Sequence, residues 1–204
     1  MEETKTHKTK KIFVAVSGAS GTIYARRFFQ HLPYDDWEVH VVVSSAARIV
    51  ASHEGGLNLP PHVKEWDERD LTAPSASGSN KFEAMVVIPC STTTLGKLAH
   101  GIADNLITRS GEVFLKERRK LILVPRETPL SLIQIKNMEL LTLAGAHLIP
   151  ATPSFYGNPK TIEDVVDTVI ARVYDHAGIQ AEVSKRWRED KVEKITEKEK
   201  ASES

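Results

Sequence analysis

The sequence has little of what marks secreted, membrane-bound or nucleic-acid-binding proteins. Cys90 is the only cysteine among 204 residues, which excludes an intrachain disulfide and a thiolate zinc cluster and fits a reducing cytoplasm. Lysines and arginines number 27, as do aspartates and glutamates, so no basic field attracts nucleic acid or an anionic membrane. Residues 1–11 lack the apolar stretch of a secretory signal, and the apolar runs are far shorter than the roughly 20 residues that span a bilayer. We therefore expect a soluble, cytoplasmic protein that binds neither nucleic acid nor membrane.

Motifs of several enzyme classes are missing as well. No His-x-x-x-His, His-Glu-x-x-His or carboxylate cluster has the spacing of metal ligands, so we expect no metal. The Gly-x-Ser-x-Gly turn of serine hydrolases is absent. The turn Ser17-Gly18-Ala19-Ser20-Gly21 matches neither the dinucleotide fingerprint nor the phosphate-binding loop of nucleotide hydrolases.

Short apolar runs are separated by stretches long enough for helices. The predicted strands are residues 12–16, 39–43, 85–88, 121–124 and 147–149. This alternation predicts a three-layer α/β fold, a doubly wound parallel sheet of the flavodoxin-like or Rossmann-like type. We expect residues 11–180 to form a single domain, after a disordered polar N-terminus at 1–10 and before a charged C-terminal helix and tail at 181–204.

Local signals refine this picture in three places. Thr161 and Asp164 have the spacing of a capping box, and Gly178 is placed to end the helix that they begin. Residues 54–80 are rich in glycine, proline and serine, which predicts an excursion or flexible flap. Trp187 is a large aromatic residue in a charged tail, where such a side chain usually docks on something.

Hydroxyl side chains follow three of the predicted strands. Ser17 and Ser20 come after the first strand, Ser44 after the second, and Ser91 to Thr94 after the third. Any one of these turns could simply cap a helix or make a tight βα connection. Together, at the carboxyl edge of a parallel sheet, they predict a site that binds a phosphate-bearing ligand through neutral donors.

Charged residues complete the candidate site. Arg126 and Glu127 follow the strand at 121–124 and lie between two prolines, which limit their conformational freedom. Arg109, Lys116 and Arg172 are further cations that could converge on an anion, although Lys116 could instead pair with Glu112 on a helix surface. Glu54 and Glu127 are the candidate carboxylates for proton transfer, the alternative being that they are solvated surface groups.

These segments, in this order, resemble the flavin prenyltransferases of the UbiX family, which are flavodoxin-like flavoproteins. The resemblance covers about residues 11–178. It rests on six motifs: Ser17 to Tyr24, Pro89-Cys90-Ser91 with Thr94-Leu95, Ala103 to Arg109, Leu115 to Arg119, Pro125 to Leu130, and Phe155-Tyr156.

The resemblance implies transfer of a dimethylallyl group from dimethylallyl phosphate to N5 and C6 of reduced FMN. The product, prenylated FMN, would serve UbiD-type decarboxylases. By carry-over, FMN would be held by Gly18, Ala19, Ser20, Ser44, Ser91, Thr92, Thr93, Thr94 and Arg126. The prenyl phosphate would be bound by Arg109, Lys116, Tyr156 and Arg172, with Trp187 closing over it. The catalytic residues would be Glu127, Glu54 and Ser20. The resemblance also implies a homo-oligomer, a dodecamer, with sites at subunit junctions.

Two departures from the family's pattern concern local packing. Ser110-Gly111 stand where members commonly carry two alanines, and Ser131 stands where a histidine is frequent.

Two other functions stay open from the sequence. One is an FMN-dependent decarboxylase of the phosphopantothenoylcysteine or peptidyl-cysteine type, although the Ser91 turn lacks the expected asparagine. The other is a non-catalytic subunit that carries flavin to a decarboxylase. The sequence does not distinguish a monophosphate from a diphosphate donor, nor does it identify the decarboxylase or the pathway that uses the product.

Overall fold

The computed structural model describes residues 9–184, and six parallel strands form its centre. They are β1 (Lys10–Val16), β2 (Trp37–Val43), β3 (Lys64–Trp66), β4 (Ala84–Cys90), β5 (Lys120–Pro125) and β6 (His147–Leu148). The spatial order is β3-β2-β1-β4-β5-β6. Without the short edge strand β3 this is the flavodoxin order, and with it the order is that of a classic doubly wound sheet.

Six α-helices connect the strands and cover both faces of the sheet. They are α1 (Thr22–His31), α2 (Ser45–His53), α3 (Thr92–Ala99), α4 (Leu106–Lys116), α5 (Leu132–Leu143) and α6 (Ile162–Ala177). The cores differ by face: Phe28 of α1 and Ile170 of α6 pack on one side, whereas Leu95 of α3 and Phe114 of α4 pack on the other. The predicted three-layer α/β fold is confirmed.

The sequence signals for the last helix are confirmed. Thr161 accepts a hydrogen bond from the Asp164 N–H at 3.0 Å, and α6 ends at Gly178, whose φ of 81° lies in the left-handed region. Such a residue ends a helix without the steric cost that a side chain would add.

The segment at 54–80 is more ordered than its composition predicts. Residues 64–76 contain β3, which pairs with β2, and a 3₁₀ turn at Pro74–Ala76. Ser75 is only 1% exposed, and its hydroxyl lies 2.9 Å from the hydroxyl of Ser110. The prediction of a flexible flap is therefore wrong for these residues, because they pair with β2 and pack against α4.

The two departures from the family's pattern have local explanations. A Cβ at Gly111 would lie 2.4 Å from Cδ2 of Leu98, so glycine lets α4 approach α3 closely. Ser110 is fully buried and is satisfied by Ser75. Ser131 caps α5 by accepting a hydrogen bond from the Gln134 N–H.

Cys90 is a buried core residue. Its side chain is completely buried at the end of β4, and burial raises the pKa of the thiol to about 12. Between residues 9 and 184, no helix is long and apolar enough to cross a membrane.

Candidate functional site

The turns after β1 and β4 are joined at the carboxyl edge of the sheet. The Ser17 hydroxyl donates to the Pro89 carbonyl at 3.0 Å and accepts from the Ser91 N–H at 2.8 Å. The Ser17 N–H also bonds the Pro89 carbonyl, at 3.2 Å. Because β1 and β4 are neighbours where the strand order reverses, this contact lies at the usual ligand position of an open α/β sheet. Ser17 therefore holds two predicted flavin-binding turns together.

The turn after β1 also lies against the start of α2. A Cβ on Gly18 would be 2.6 Å from the Cβ of Ala46, closer than side-chain atoms pack. Ser44, the last residue before α2, caps this helix by accepting from the Ala47 N–H at 3.1 Å. The structure thus brings Gly18, Ser44 and Ser91, three of the predicted flavin ligands, to one edge.

Glu54 occupies the N-terminus of α1. Its carboxylate accepts from the Gly21 N–H at 3.1 and 3.0 Å and from the Thr22 N–H at 2.7 Å. Burial raises the pKa of Glu54, but hydrogen bonds from Ser20, Thr22 and Gly21 outweigh that effect and lower the pKa to about 2. The carboxylate is therefore ionised at neutral pH, and it fills the anion position that the sequence assigned to a bound ligand.

The N-termini of α2 and α3 differ from each other. At α2, the Ser45 N–H donates to the carboxylate of Glu68 at 3.1 Å. At α3, the Ser91 hydroxyl accepts from the Thr94 N–H at 3.2 Å. Within the described residues no side-chain carboxylate caps α3, so the N–H groups of Thr92 and Thr93 point out from a positive helix end.

Arg126 contacts the turn that binds Glu54, and Glu127 follows it in the chain. The Arg126 Nε donates to the Ser20 carbonyl at 2.9 Å, and the Arg126 N–H bonds the Cys90 carbonyl at 3.4 Å. Glu127 is exposed, and its carboxylate accepts from the Thr128 N–H at 2.9 Å. Ser20 therefore contacts both Glu54 and Arg126, and Glu127 follows Arg126 in the chain.

Tyr24 is a neighbour of this group that our sequence reasoning did not assign a role. Its ring lies 3.0 Å from the position of a Cβ on Gly21, and its hydroxyl donates to the Ala151 carbonyl at 3.4 Å. Burial raises the pKa of Tyr24, an effect that Arg126 partly offsets. The signal that could have found it is its position in the first turn of α1, directly after the Ser17 turn.

The predicted phosphate-binding cations are spread through the chain. Lys116 ends α4, near the amino end of β5, whereas Arg126 follows its carboxyl end. Six strand residues separate the two ends of β5 by about 20 Å. Arg172 lies in the second half of α6, whose terminal Gly178 is beside Lys120. Within one chain, neither Lys116 nor Arg172 lies at the carboxyl edge.

These cations have partners other than those considered from the sequence. Glu112 pairs with Arg109 at 2.9 Å, so the alternative of a Lys116–Glu112 pair is wrong, and Lys116 instead lies 3.7 Å from Glu117. Arg109 also donates to the Ala76 carbonyl.

Arg172 also has a local partner. Its Nη1 donates to Asp175 at 3.0 Å, and its side chain is 62% exposed. It lies outside the stripe of α6 that packs on the sheet, which is formed by Val166, Val169 and Val173.

Tyr156 lies in the loop after β6, at the rim of a cavity of about 480 Å³. The side chains of Asp164, Asp167 and Thr168 from α6 line the same cavity. Trp187 lies outside the described residues. Among residues 9–184 no three His, Cys, Asp or Glu side chains form a group that could hold a metal ion.

The geometry can be compared with known proteins. The Flavoprotein family model matches residues 1–174. The flavin prenyltransferase UbiX of Thermoplasma acidophilum is 44% identical over 182 residues, which cover 87% of this chain and 99% of the relative. This chain belongs to the UbiX family of flavin prenyltransferases.

Solved structures agree with this assignment. The crystal structure of AnUbiX (PadA1) in complex with FMN and dimethylallyl pyrophosphate matches with a TM-score of 0.83 and 36% identity, covering 88% of this chain and 98% of that one. A dodecameric FMN-dependent UbiX-like decarboxylase from Escherichia coli O157:H7 matches with a TM-score of 0.82 and 37% identity, covering 87% and 98%. The resemblance to the UbiX family and the flavodoxin-like fold are confirmed.

Proposed function

We propose that this UbiX-family protein transfers a dimethylallyl group from a prenyl phosphate to N5 and C6 of reduced FMN. The observation that carries the proposal is the contact network of Ser20, Glu54 and Arg126 beside the open N-terminus of α3. The network brings the ionised Glu54 carboxylate, the Arg126 guanidinium and the N–H groups at the start of α3, unbonded within residues 9–184, to one edge of the sheet. The chain that carries it belongs to the UbiX family.

The edge fits FMN by its donors. Gly18 lets the turn after β1 lie directly against α2, and Ser44 and Ser91 add hydroxyls at the same edge. The N–H groups of Thr92 and Thr93 would bind the flavin phosphate, because no carboxylate among residues 9–184 caps α3, whereas glutamates bond the first N–H groups of α1 and α2. Arg126 would contact the flavin ring. When bound, reduced FMN supplies the nucleophilic N5 and C6 positions.

The two glutamates would act differently. Glu54, with a pKa of about 2, stays ionised and would stabilise positive charge that develops on the allylic group as phosphate leaves. It is a poor proton donor at neutral pH for the same reason. Glu127 is exposed and follows Arg126 directly, so it is the better placed of the two for proton transfer. Ser20 would help to fix the Glu54 carboxylate.

Lys116, Arg172 and Tyr156 would bind the prenyl phosphate of a neighbouring subunit. The position of Lys116 and Arg172, distant from Arg126 in their own chain, supports this arrangement. So does an apolar surface on and beside α5, where Ile133 is 73% exposed and Leu143 is 78% exposed, since such a surface requires a covering partner. The proposed partner is a second copy of this chain in a homo-oligomer, and the Escherichia coli relative is dodecameric.

Several finer points belong to the same proposal. The product would pass to a UbiD-type decarboxylase, and the cytoplasmic location remains a prediction from the sequence. The donor is either dimethylallyl phosphate or the pyrophosphate, the form present in the AnUbiX complex. Cysteine-derived substrates with oxidised flavin test the decarboxylase alternative, and FMN binding without prenyl consumption would indicate a carrier.

A mixing experiment tests both the reaction and the shared site. Glu127→Gln and Lys116→Ala variants are each expected to lose conversion of reduced FMN, whereas Lys64→Ala, on an ion pair with Glu38 at the sheet edge away from α5, retains it. Co-assembled Glu127→Gln and Lys116→Ala chains should regain about a quarter of the wild-type activity. With random mixing, about a quarter of the subunit junctions contain both a native Glu127 and a native Lys116. Full activity in either single variant would contradict the proposed roles, and no recovery on mixing would place both residues in one subunit.

A further inference from the structure

Arg26 of α1 contacts the turn that carries the candidate catalytic residue Glu54. Its side chain is half-buried and reaches the chain directly after α2. The Arg26 Nη1 donates to two backbone carbonyls of this turn, that of Glu54 at 2.7 Å and that of Gly56 at 3.0 Å. Carbonyls at the C-terminal end of a helix carry partial negative charge, so a cation is favourable there.

The turn itself is built from flexible residues. Gly55 and Gly56 have φ values of 82° and 86°, a region that side chains disfavour, and glycine loses more conformational entropy on ordering than any other residue. A Cβ at Gly56 would meet nothing within 4 Å, whereas one at Gly55 would lie 3.4 Å from the Arg26 guanidinium. Arg26 therefore supplies a contact that the turn does not make with its own side chains.

The contacts of Arg26 and of the Glu54 carboxylate lie on the same helix. The carboxylate accepts from the N–H of Thr22 at 2.7 Å, and Arg26 follows Thr22 by four residues, which is about one turn along the same face of α1. Glu54 is thus held by α1 at two points, at its carboxylate and at its backbone carbonyl. Two points fix the direction of the side chain as well as its position.

We propose that Arg26 is a positioning residue that holds the turn after α2 so that the Glu54 carboxylate stays at the N-terminus of α1. Its effect on catalysis rests on the proposed function, in which Glu54 stabilises the charge that develops on the allylic group. Without Arg26, Glu54 stays ionised, but its charge is no longer kept at one place. The sequence did not suggest this role, because the two residues are 28 positions apart.

The test is a double-mutant cycle of Arg26 and Glu54 in the full chain. Arg26→Met keeps the length of the side chain but removes its charge and its donors. At pH 7 and fixed protein concentration, Glu54→Gln should lower the midpoint of urea unfolding in the Arg26→Met background by less than half as much as in the wild type. Arg48→Met, which breaks an exposed ion pair of α2 with Glu65, is the control background and should leave the effect of Glu54→Gln unchanged.

Conversion of reduced FMN gives a second measurement. Arg26→Met should lower kcat at least about tenfold with little change in the KM of the prenyl donor, because it weakens a contact made in the transition state. Arg26→Lys retains a cation with three donors and should recover most of the rate. Adding Arg26→Met to Glu54→Gln should lower the rate no further.

Additive effects would overturn the proposal. If Glu54→Gln had equal effects in the wild-type and Arg26→Met backgrounds, in the midpoint or in the rate, Arg26 would act on the fold independently of Glu54. Arg26→Gln, which also lacks the charge, serves if Arg26→Met does not fold. The unfolding cycle needs no prenyl transfer, so failure of the proposed reaction in the wild type is distinguished from failure of the contact between Arg26 and Glu54.

Discussion

Glu54 is predicted to stabilise the fold as well as the site, since its carboxylate caps α1 from 33 residues away in sequence. Glu54→Gln keeps the size of the side chain but removes the charge. The pKa falls from 4.5 to about 2, and a shift of this size corresponds to roughly 3.4 kcal/mol if all of it acts on folding. The carboxylate is partly open to water, and screening reduces the expected loss to about 1–2 kcal/mol at pH 7.

The sign of the pH dependence follows from the lowered pKa. Stability from Glu54 is fully present above the unfolded-state pKa near 4.5 and is lost as the pH falls toward 2. The difference in unfolding free energy between wild type and Glu54→Gln should therefore narrow by roughly a third between pH 7 and pH 4.

Urea unfolding at the two pH values measures this difference. Glu139→Gln, on an exposed ion pair with Lys136, is the matched control and should change stability by less than about 0.5 kcal/mol. If Glu54→Gln were as stable as the wild type at pH 7, or if the gap did not depend on pH, the cap would not exist as described.

Three further predictions concern packing and flavin contacts. Gly18→Ala should lower the free energy of unfolding by about 1–3 kcal/mol, measured by urea unfolding, and should lower the FMN affinity, measured by fluorescence titration. The control Gly157→Ala should change neither, because a Cβ there meets nothing within 4 Å. Gly111→Ala should cost a similar amount of stability without changing FMN affinity, because it separates α3 from α4. Arg126→Lys should weaken FMN binding at least about tenfold, since lysine lacks the planar guanidinium. Unchanged affinity in that variant would remove Arg126 from the flavin site.

Much of the fold could be predicted because its strands are buried on both faces. Four strands, β1, β2, β4 and β5, are largely buried and coincide with mainly apolar runs, as expected for parallel strands covered by helices. The edge strand β3 consists of Lys64, Glu65 and Trp66, and no apolar pattern marks it because it is an edge strand. The sequence also did not predict that residues 73–76 are well ordered. Small residues such as Ser75 are typical of turns, and it is the packing of α4 against them that buries them.

The site could be predicted where chemistry follows a strand directly. Ser17, Ser44, Ser91 and Arg126 meet at one edge because the carboxyl ends of parallel strands share that edge. The capping of α1 by Glu54 depends on a tertiary contact that no local pattern encodes. Lys116 precedes β5 and Arg126 follows it, so the strand separates the two residues. For this reason we expect the partners of Lys116 in another subunit.

The most direct test of the proposed function is anaerobic incubation of the purified protein with reduced FMN and either dimethylallyl phosphate or the pyrophosphate, followed by mass spectrometry of the released flavin. The account predicts a flavin heavier by one prenyl unit with at least one of the two donors. Unchanged flavin with both donors, from protein that binds FMN tightly, would contradict it.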